Sequence, residues 1–533
     1  MKKLKRIDLN LDQVDALLKR VETGSLQQGD YEIIKAMVET IHLLSQSVDQ
    51  KATSIRRLLR MLFGERSEKL KDVIKNQDKS LNSETAPENT TDRSDKPKPK
   101  GHGRNAASDY TGAEQIKVPH ATLKIGDNCP GCLKGKLYEM KVPKLIVRVT
   151  GKGPLQASVY QMQKLRCNLC GEIFRAKTPK GIGEEKYDTA SGAMIALLKY
   201  GSGLPFNRIE QLQGSLGVPL PASTQWEIAD TVANKAVPAY DELIRQAAQG
   251  DVIHNDDTGN KILSLIKEQL ENDDDSSRKG MFTSAILSAV GGRKIALFFT
   301  GRNHAGENLA NVLAKRQSGL DPPIQMCDAL SRNLPKELKT ILANCLTHAR
   351  RNFVDLLTSF PKQCRYVIEI LGKVYKNDHI TKDQKLSAEK RLLYHQTHSQ
   401  PLMDELKGWL RVQLEEKKVE PNSGLGKAIS YMQNHWKPLT LFLRVPNAPL
   451  DNNICEQVLK RAILHRKNSL FFKTKRGAYV GDLFMSLIHT CCLAKVNPFN
   501  YLTALQEYDS QIRENPQNWM PWNYKKALQK ATL

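Results

Sequence analysis

GDVIHNDDTGNKILSLI, residues 250–266, combines β-branched side chains with a pair of acids, and this composition predicts a strand. Two further apolar runs, MFTSAILSAV (281–290) and KIALFFTG (294–301), predict the next strands, with two glycines at the turn between them. ENLANVLAKR (307–316) has helical periodicity, and PPIQMCDAL (322–330) is a short apolar run with an acid near its end. The predicted order of elements is therefore β-β-β-α-β.

This order is that of the ribonuclease-H-like fold, in which the first and fourth strands are neighbours. Asp256 lies on the first strand and Asp328 at the end of the fourth, so both carboxylates are expected to face one site. Phosphoryl transfer builds negative charge on the attacking and leaving oxygens, and two divalent ions roughly 4 Å apart stabilise both. Carboxylates supply the oxygen ligands that Mg²⁺ prefers. The pair predicts a site for two Mg²⁺ ions, with Mn²⁺ as a substitute.

Other side chains in this region compete with Asp256. Asp257 is its neighbour, and because successive strand residues face opposite sides, only one of the two can reach the metals. Strand alternation alone leaves that choice open. The acidic run 273–275 falls in a predicted loop between the first two strands and is interpreted as solvated. His254 is interpreted as a hydrogen-bonded strand histidine and not as a ligand.

A third carboxylate is expected on a later helix, and Glu456 is the candidate. It lies in PNAPLDNNICEQVLKRAILHRKNSLFF (446–472), where residues 451–453 suit a helix cap. Several cations follow it, as expected where a metal site meets a DNA backbone. The DNA-binding residues predicted in this stretch are Lys460, Arg461, Arg466 and Lys467.

The long stretch between Asp328 and Glu456 predicts helices, beginning with LPKELKTILANCLTHARRNFVDLL (334–357). It is interpreted as a helical insertion that interrupts the catalytic domain. The predicted parts are a ribonuclease-H-like catalytic domain at 250–345 and 445–505, the insertion at 346–444 and a C-terminal tail at 506–533.

The N-terminal segments 1–76 and 77–116 differ sharply in composition. In the first, apolar residues recur at helical spacing, which predicts either a coiled-coil or multimerisation arm with a DNA-contacting end, or a helical hairpin packed on its own domain. The second is polar, contains proline and has almost no large apolar side chains, so it is predicted to be a disordered linker.

Two Cys-x-x-Cys turns within residues 117–178 indicate a zinc ribbon. Each turn lets two sulfurs reach one ion, and the strand-like runs between the turns bring the second pair to complete a tetrahedron. All four coordination positions would come from the protein, so the Zn²⁺ is expected to be structural. Its predicted ligands are Cys129, Cys132, Cys167 and Cys170.

Residues 179–249 predict a helix-turn-helix domain. An amphipathic segment at 206–216 ends at Gly217, and a second helix follows the turn VPLP with Ser and Thr at capping positions. The second helix of such a motif enters the major groove of DNA. A plain helical hairpin has a similar sequence pattern, so both interpretations remain open here.

The whole chain carries a formal net charge of +23, which indicates a polyanionic partner, most commonly nucleic acid. The N-terminus lacks the apolar core of a signal peptide, and no apolar run has the length of a membrane helix. A cytoplasmic protein without a membrane partner is therefore expected. The 10 cysteines are expected to be reduced in that compartment.

Nearly the whole chain resembles the bacterial insertion-sequence transposases of family sixty-six, large-subunit type. The resemblance depends on the shared order of several modestly specific blocks. These blocks are LRMLFGERSEKL, the basic HGR at 102–104, the two Cys-x-x-Cys turns, LLKYGSGLPFNRIEQLQGSLGVPLPASTQWEIAD, HNDDTG, MCDAL, CLTHARRNF, LDNNICEQVLKRAILHRKN and HTCCLAKVNPFNYL.

The resemblance implies a DDE-type transposase that cuts and transfers an element flanked by inverted repeats, with Asp256, Asp328 and Glu456 as its catalytic acids. It implies double-stranded DNA as partner, at the element ends and at the target, two small accessory proteins and a bacterial, nucleoid-associated location. A homo-oligomer is expected because two ends must be held together. Cys345 and His348 match a Cys-x-x-His motif and are interpreted as site support. Arg350 and Arg351 in the same block join the predicted DNA-binding residues.

Three positions depart from the pattern of this family. Asp257 stands where Glu is usual, Leu346 replaces Trp, and Gln457 replaces the Arg that usually follows the catalytic Glu. The last change removes a cation beside the metal site and motivates a second hypothesis: a catalytically weakened DNA-binding protein of the same family that binds element ends without cutting. A third hypothesis is a structure-specific nuclease of the same fold, although the two cysteine turns and the helix-turn-helix pattern favour recognition of defined ends.

Overall fold

The computed structural model describes residues 185–271, 278–336 and 338–531, with part of 11–34 and separate stretches between 122 and 179. The protein has a mixed α+β architecture and divides into two compact units. The first unit comprises Met1–Glu88 and Leu342–Asp451, and the second comprises Asn89–Ile341 and Asn452–Leu533. The predicted linker and most of the predicted N-terminal arm lie outside the described residues. Among the described helices, none is both long and apolar enough to cross a bilayer.

The elements that precede the main sheet are a short antiparallel pair of strands and a set of helices. They are α1 (Leu11–Glu22), β1 (Lys164–Arg166), β2 (Ile173–Arg175), α2 (Thr189–Ala196), a π-helical turn (Leu197–Gly201), α3 (Phe206–Ser215) and α4 (Ala222–Ala247).

The main sheet has five strands, β3 (Val252–Gly259), β4 (Phe282–Val290), β5 (Arg293–Gly301), β6 (Ile324–Cys327) and β7 (Ile341–Asn344), and their order is β5-β4-β3-β6-β7. β3 is antiparallel to β4 and parallel to β6, and β4 is antiparallel to β5. The first and fourth predicted strands, β3 and β6, are therefore neighbours, as the sequence predicted. Between these strands in the chain lie α5 (Leu263–Glu271), α6 (Ala305–Leu313) and a 3-10 turn (Ser331–Asn333).

Two elements differ from the prediction. The strand predicted over 250–266 ends at Gly259, and LSLIKEQLE forms the helix α5, because this segment lacks strand alternation and is rich in helix formers. The helix predicted over 334–357 starts only at Leu346. The residues before it form β7, where Ile341 N donates to Pro323 O (2.9 Å), so pairing at the sheet edge overrides helical propensity.

One hydrophobic core joins the sheet of the second unit to the helices around it. It includes residues of α2 and α4 as well as of the strands, so residues 189–247 share this core with the sheet. The helices of this unit that follow are α13 (Asn453–Ser469), α14 (Lys475–Leu493), α15 (Pro498–Glu507), α16 (Asp509–Glu514), a 3-10 turn (Pro516–Trp519) and α17 (Tyr524–Ala531).

Helix α14 covers the outer strand β5 with a row of polar side chains. Thr490, Ser486 and Asp482 lie four residues apart and therefore on one helix face. They accept the backbone N–H groups of Ala296 (3.1 Å), Phe298 (2.9 Å) and Thr300 (2.6 Å), respectively. The exposed edge of a sheet is a liability for aggregation. Here the edge donors of β5 are satisfied by one helix.

The first unit is helical in its second segment. Its elements are α7 (Leu346–Asp355), α8 (Pro361–Asp383), α9 (Ala388–His398), α10 (Gln400–Glu415), α11 (Gly424–Asn434), α12 (Trp436–Leu439) and a 3-10 turn (Leu441–Leu443). Buried Asp378 connects α8 with α9 through Arg391 (2.8 Å) and His395 (3.4 Å), and it also pairs with Lys382 on its own helix (2.6 Å). This charge cluster is a structural contact of the insertion.

Candidate active site

The parallel register of β3 and β6 brings two of the predicted acids to one edge. The last residue pair of that register is His254 opposite Met326. Asp256 lies two residues further along β3, and Asp328 directly follows the end of β6, so both acids lie just beyond the last residue pair of the parallel register. Residues two apart on a strand share a face, so Asp256 lies on the same face of β3 as His254.

Helix α13 begins against that same face of β3. Asn452 occupies the N-cap position of α13, but its side chain does not cap the helix. Instead, its Oδ1 lies 3.0 Å from Nδ1 of His254 and its Nδ2 donates to the carbonyl of Asn255 (3.2 Å). Glu456 follows Asn452 by four residues and so lies on the same helix face, one turn later. The start of α13 is thereby fixed with Glu456 on the side of β3.

Cys455 lies close to all three acids. Its side chain is fully buried, and its Sγ donates to the carbonyl of Ala285 (3.5 Å), the residue paired with Asp256 across β3 and β4. Burial raises the pKa of the Cys455 thiol well above its usual range, and the carboxylates of Asp256, Glu456 and Asp328 raise it further. One thiol therefore experiences the charges of all three carboxylates.

Asp257 faces the opposite side of β3 and has a different environment. Its carboxylate, only 1% exposed, pairs with Arg332 (3.2 Å) and contacts His304 Nδ1 (3.0 Å). It also accepts the backbone N–H of Ala305 at the start of α6 (3.4 Å). These contacts attach β3 to α6 and to the 3-10 turn that follows Asp328, so Asp257 is a structural anchor.

The loop that carries Asp328 is held by two buried amides that the sequence analysis did not single out. Asn255 Nδ2 and Gln325 Nε2 both donate to the carbonyl of Asn333 (2.8 and 2.7 Å), and Gln325 Nε2 also donates to Asn255 Oδ1 (2.9 Å). Amides inside otherwise apolar strands need partners because unpaired buried polar groups are costly. That rule could have identified them from the sequence.

His254 remains a neutral hydrogen-bonding group. Burial lowers its pKa to about 4, although the hydrogen bond with Asn452 opposes this effect. Its Nδ1 is engaged by Asn452. The neighbourhood of the acids thus contains a neutral imidazole and a protonated thiol, and its negative charge comes from carboxylates.

The predicted DNA-binding residues of α13 have two kinds of environment. Lys460, Arg461 and Lys467 are exposed on the helix, as is Gln457. Arg466 is half-buried, and its Nη1 donates to Thr258 Oγ1 (3.0 Å) and to the carbonyl of Gly259. These hydrogen bonds of Arg466 connect the C-terminal part of α13 to the C-terminal end of β3.

The remaining predicted site residues belong to α7 and its N-terminus or to the predicted zinc ribbon. In the first unit, Cys345 precedes α7 and is buried, and His348, three residues later, is half-buried in the first turn. Arg350 is buried and Arg351 is half-buried in the same helix. Of the predicted zinc ligands, Cys132 is described, and its Sγ accepts the backbone N–H of Gly135 (3.4 Å). Cys129, Cys167 and Cys170 lie outside the described residues.

Comparison with known proteins supports one family assignment. The chain is 28% identical over 358 residues to "Uncharacterized protein y4jD" of Sinorhizobium fredii (strain NBRC 101917 / NGR234), an alignment covering 63% of this chain and 66% of that relative. It is 24% identical over 566 aligned positions to "Uncharacterized protein y4qI" of the same organism, covering 96% of this chain and 97% of the relative.

A family model described as "Transposase IS66 family" matches residues 186–480, more than half of the chain. The match contains both β3 and β6 and the segment from Asn452 to Glu456. This span includes the three carboxylates that converge on Cys455. The chain belongs to the Transposase IS66 family.

Proposed function

We propose that the protein recognises the terminal inverted repeats of its element and catalyses metal-dependent DNA cleavage and strand transfer. The observation that carries this proposal is geometric: β3, which carries Asp256, neighbours β6, which leads into Asp328, and Asn452 attaches the start of the helix that carries Glu456 to β3. We further propose that the five-stranded sheet is a ribonuclease-H-like domain, in which Asp256 lies on β3, Asp328 follows the neighbouring strand β6 and Glu456 lies on a covering helix.

The donor set suits a hard divalent cation. Carboxylate oxygens are the ligands that Mg²⁺ prefers, whereas a soft metal would require a thiolate or imidazole. Cys455 keeps its proton and therefore does not compete as a ligand. Asp256, Asp328 and Glu456 would hold two Mg²⁺ ions, with Mn²⁺ as a substitute. When bound, such ions supply positive charge that stabilises the attacking and leaving oxygens of the phosphodiester.

The other residues of the site position these carboxylates. Asn452 fixes the start of α13 to β3, and Asn255 and Gln325 hold the loop that carries Asp328. We propose that exposed Lys460, Arg461 and Lys467 bind phosphates along α13, because cations attract the DNA backbone without regard to sequence. Cys345 and His348 are proposed as site support, and Arg350 and Arg351 as further DNA contacts.

The first experiment on this function is cleavage and joining of a labelled duplex that carries one terminal inverted repeat from the DNA bordering the gene. The reaction would contain the full-length chain and the two proposed accessory proteins, with Mg²⁺ or with EDTA. We expect cleaved and joined products only with Mg²⁺. Binding without cutting in any divalent metal would favour the catalytically weakened DNA-binding protein, and Gln457→Arg would then be tested for recovered cutting.

We also propose a structural zinc site formed by Cys129, Cys132, Cys167 and Cys170. A backbone N–H donated to sulfur favours the thiolate form, and Cys132 receives such a bond from Gly135. We expect one zinc per chain by elemental analysis of the purified protein and none in the double variant Cys129→Ser, Cys132→Ser. The double variant Cys491→Ser, Cys492→Ser, in α14, is the control and should retain the zinc. An equal zinc content in all three proteins would contradict the proposed site.

We propose that α3 and α4 are the helices of a helix-turn-helix that contacts the element ends. Helix α3 ends at Ser215, Gly217 has a left-handed backbone (φ 73°), and α4 begins at Ala222. The turn between them thus contains a glycine where a left-handed residue is needed, which is typical of this motif.

A further inference from the structure

Leu470 ends helix α13 in a backbone conformation that L-residues rarely adopt. Its φ is 66° and its ψ is −43°. Phe471 N donates to the carbonyl of Ser469 (2.8 Å), which closes a γ-turn around Leu470. A γ-turn with positive φ at its centre is rare and strained, and glycine would relieve the strain. The chain nevertheless has leucine there.

The strain at Leu470 is not offset by burial of its side chain. Leu470 is 64% exposed and the adjacent Phe471 is 42% exposed. The backbone after this pair is anchored, however. The next residue, Phe472, is buried and forms backbone hydrogen bonds with the segment that follows β3. Phe472 N donates to Lys261 O and Leu263 N donates to Phe472 O, both at 2.9 Å. The turn presents two apolar side chains to solvent on a rigid base.

Cations flank this apolar pair on both sides in the chain. Lys467 precedes it by one helical turn and Lys473 follows it, and both are exposed. Within the part of the chain that the structure describes, no ion pair is recorded for either lysine. A rigid apolar projection between cations is complementary to nucleic acid, which has phosphates outside and a stack of apolar base faces inside.

We propose that Leu470 and Phe471 form a wedge that enters the DNA base stack and unstacks one step while Lys467 and Lys473 contact the adjacent phosphates. This inference deepens the proposed function and rests on it. Helix α13 connects the wedge to Glu456, at roughly 20 Å along the axis from a rise of ~1.5 Å per residue. The wedge thus acts on the same DNA molecule as the carboxylates but away from the cleaved phosphate.

The test measures binding of the full-length chain to two 30-base-pair duplexes of one mixed sequence. One is fully paired, and the other has two mismatched pairs at its centre, where the stack is already weakened. Each carries 2-aminopurine beside the central step. Because the mismatched step is already partly unstacked, we expect the wild type to bind the mismatched duplex about tenfold more tightly. We also expect 2-aminopurine fluorescence to rise when the paired duplex binds.

Phe471→Ala and Leu470→Gly should each remove most of the preference and of the fluorescence change. Leu470→Gly relieves the backbone strain, so its thermal midpoint should equal or exceed that of the wild type, which separates loss of the wedge from loss of fold. Leu393→Ala, on α9, is the matched control because Leu393 is 63% exposed, and it should bind like the wild type.

Three other outcomes would contradict the wedge, and each has a different consequence for the proposed function. Equal affinity for both duplexes with Mg²⁺-dependent cutting intact would reject the wedge and leave the proposed function standing. No binding to either duplex or to the element end would reject both. A change in oligomeric state in Phe471→Ala, measured by sedimentation, with the DNA preference unchanged would assign the pair to a contact between chains.

Discussion

Asp256→Asn is expected to lower the rate of Mg²⁺-dependent strand cleavage by about a thousandfold or more, because a charged metal ligand is worth several kcal/mol of transition-state stabilisation. The amide keeps the shape of the side chain but removes its charge. DNA binding should remain close to that of the wild type, since the proposed phosphate contacts come from cations and not from Asp256.

The same substitution should not destabilise the metal-free protein. Asp256, Asp328 and Glu456 lie near one buried thiol and are half-buried, and like charges close to one another repel. Replacing one carboxylate with an amide relieves part of this repulsion. We therefore expect an unchanged or higher thermal midpoint without metal, together with the loss of cleavage, as found where a functional site is kept at some cost in stability.

Asp257→Asn is the matched control, because it makes the same chemical change at the adjacent residue. Its carboxylate is paired with Arg332 and His304 on the other side of β3. Loss of that charge should lower the free energy of unfolding by about 2 kcal/mol, because the buried Asp257 side chain loses its charge-assisted contacts with Arg332 and His304. Cleavage should stay within about tenfold of the wild type at a temperature where the variant is folded. If Asp257→Asn lost cleavage and Asp256→Asn kept it, the assignment of the two acids would be reversed.

The sequence was sufficient to predict the neighbouring positions of β3 and β6. The order of apolar runs predicted which strands are neighbours. Because β3 and β6 pair in parallel, Asp256 on β3 lies near Asp328 at the end of β6. The choice between Asp256 and Asp257 could not be made from alternation, because a strand buried on both faces has no polar side to orient it. The contacts of the Asp257 carboxylate with Arg332 and His304 show which face of β3 it occupies. Those partners are distant in sequence, so the sequence pattern around Asp257 does not reveal them.

Residues 451–453 illustrate a second limit of sequence reasoning. Polar residues before an apolar helix predict a cap, and α13 does begin at Asn453. The side chain of Asn452, however, bonds with His254 and Asn255 on β3 instead of the helix N-terminus. The local pattern defines where a helix starts, whereas the partner of a polar side chain depends on tertiary packing. The strained turn at Leu470 was missed for a related reason, since no local preference favours leucine at positive φ.

Asp482 is the clearest case of a buried acid whose role is structural. It lies on α14 and accepts Thr300 N and Thr300 Oγ1, both at 2.6 Å, as part of the row that covers β5. Burial raises its pKa from 3.8 to about 7, and the hydrogen bonds from Thr300 only partly oppose this effect. The folded protein therefore holds this proton more tightly than the unfolded chain does. The stability associated with protonated Asp482 is fully present below about pH 4 and is lost as the pH rises through about 7.

Asp482→Asn should remove that pH dependence. The carboxamide can accept Thr300 N through Oδ1 and donate to Thr300 Oγ1 through Nδ2, while the Thr300 hydroxyl turns to Thr283 Oγ1, 2.8 Å away. Compared with the wild type, the variant should gain up to about 4 kcal/mol in the free energy of unfolding between pH 4 and pH 8, because each pKa unit corresponds to about 1.4 kcal/mol. Urea unfolding of both proteins across this range measures the difference.

Asp241→Asn is the control for the Asp482 prediction. It removes the same charge from the helix α4, where the side chain is exposed, so it measures what the loss of a surface carboxylate alone does to the urea curves. Other acids titrate equally in each pair of proteins, so they cancel in the comparison. If the Asp482→Asn and wild-type curves ran parallel, Asp482 would be ionised in the folded state at pH 4 and above. The edge of β5 would then be covered by a charged side chain, and stability would depend on its bonds from Thr300 at every pH.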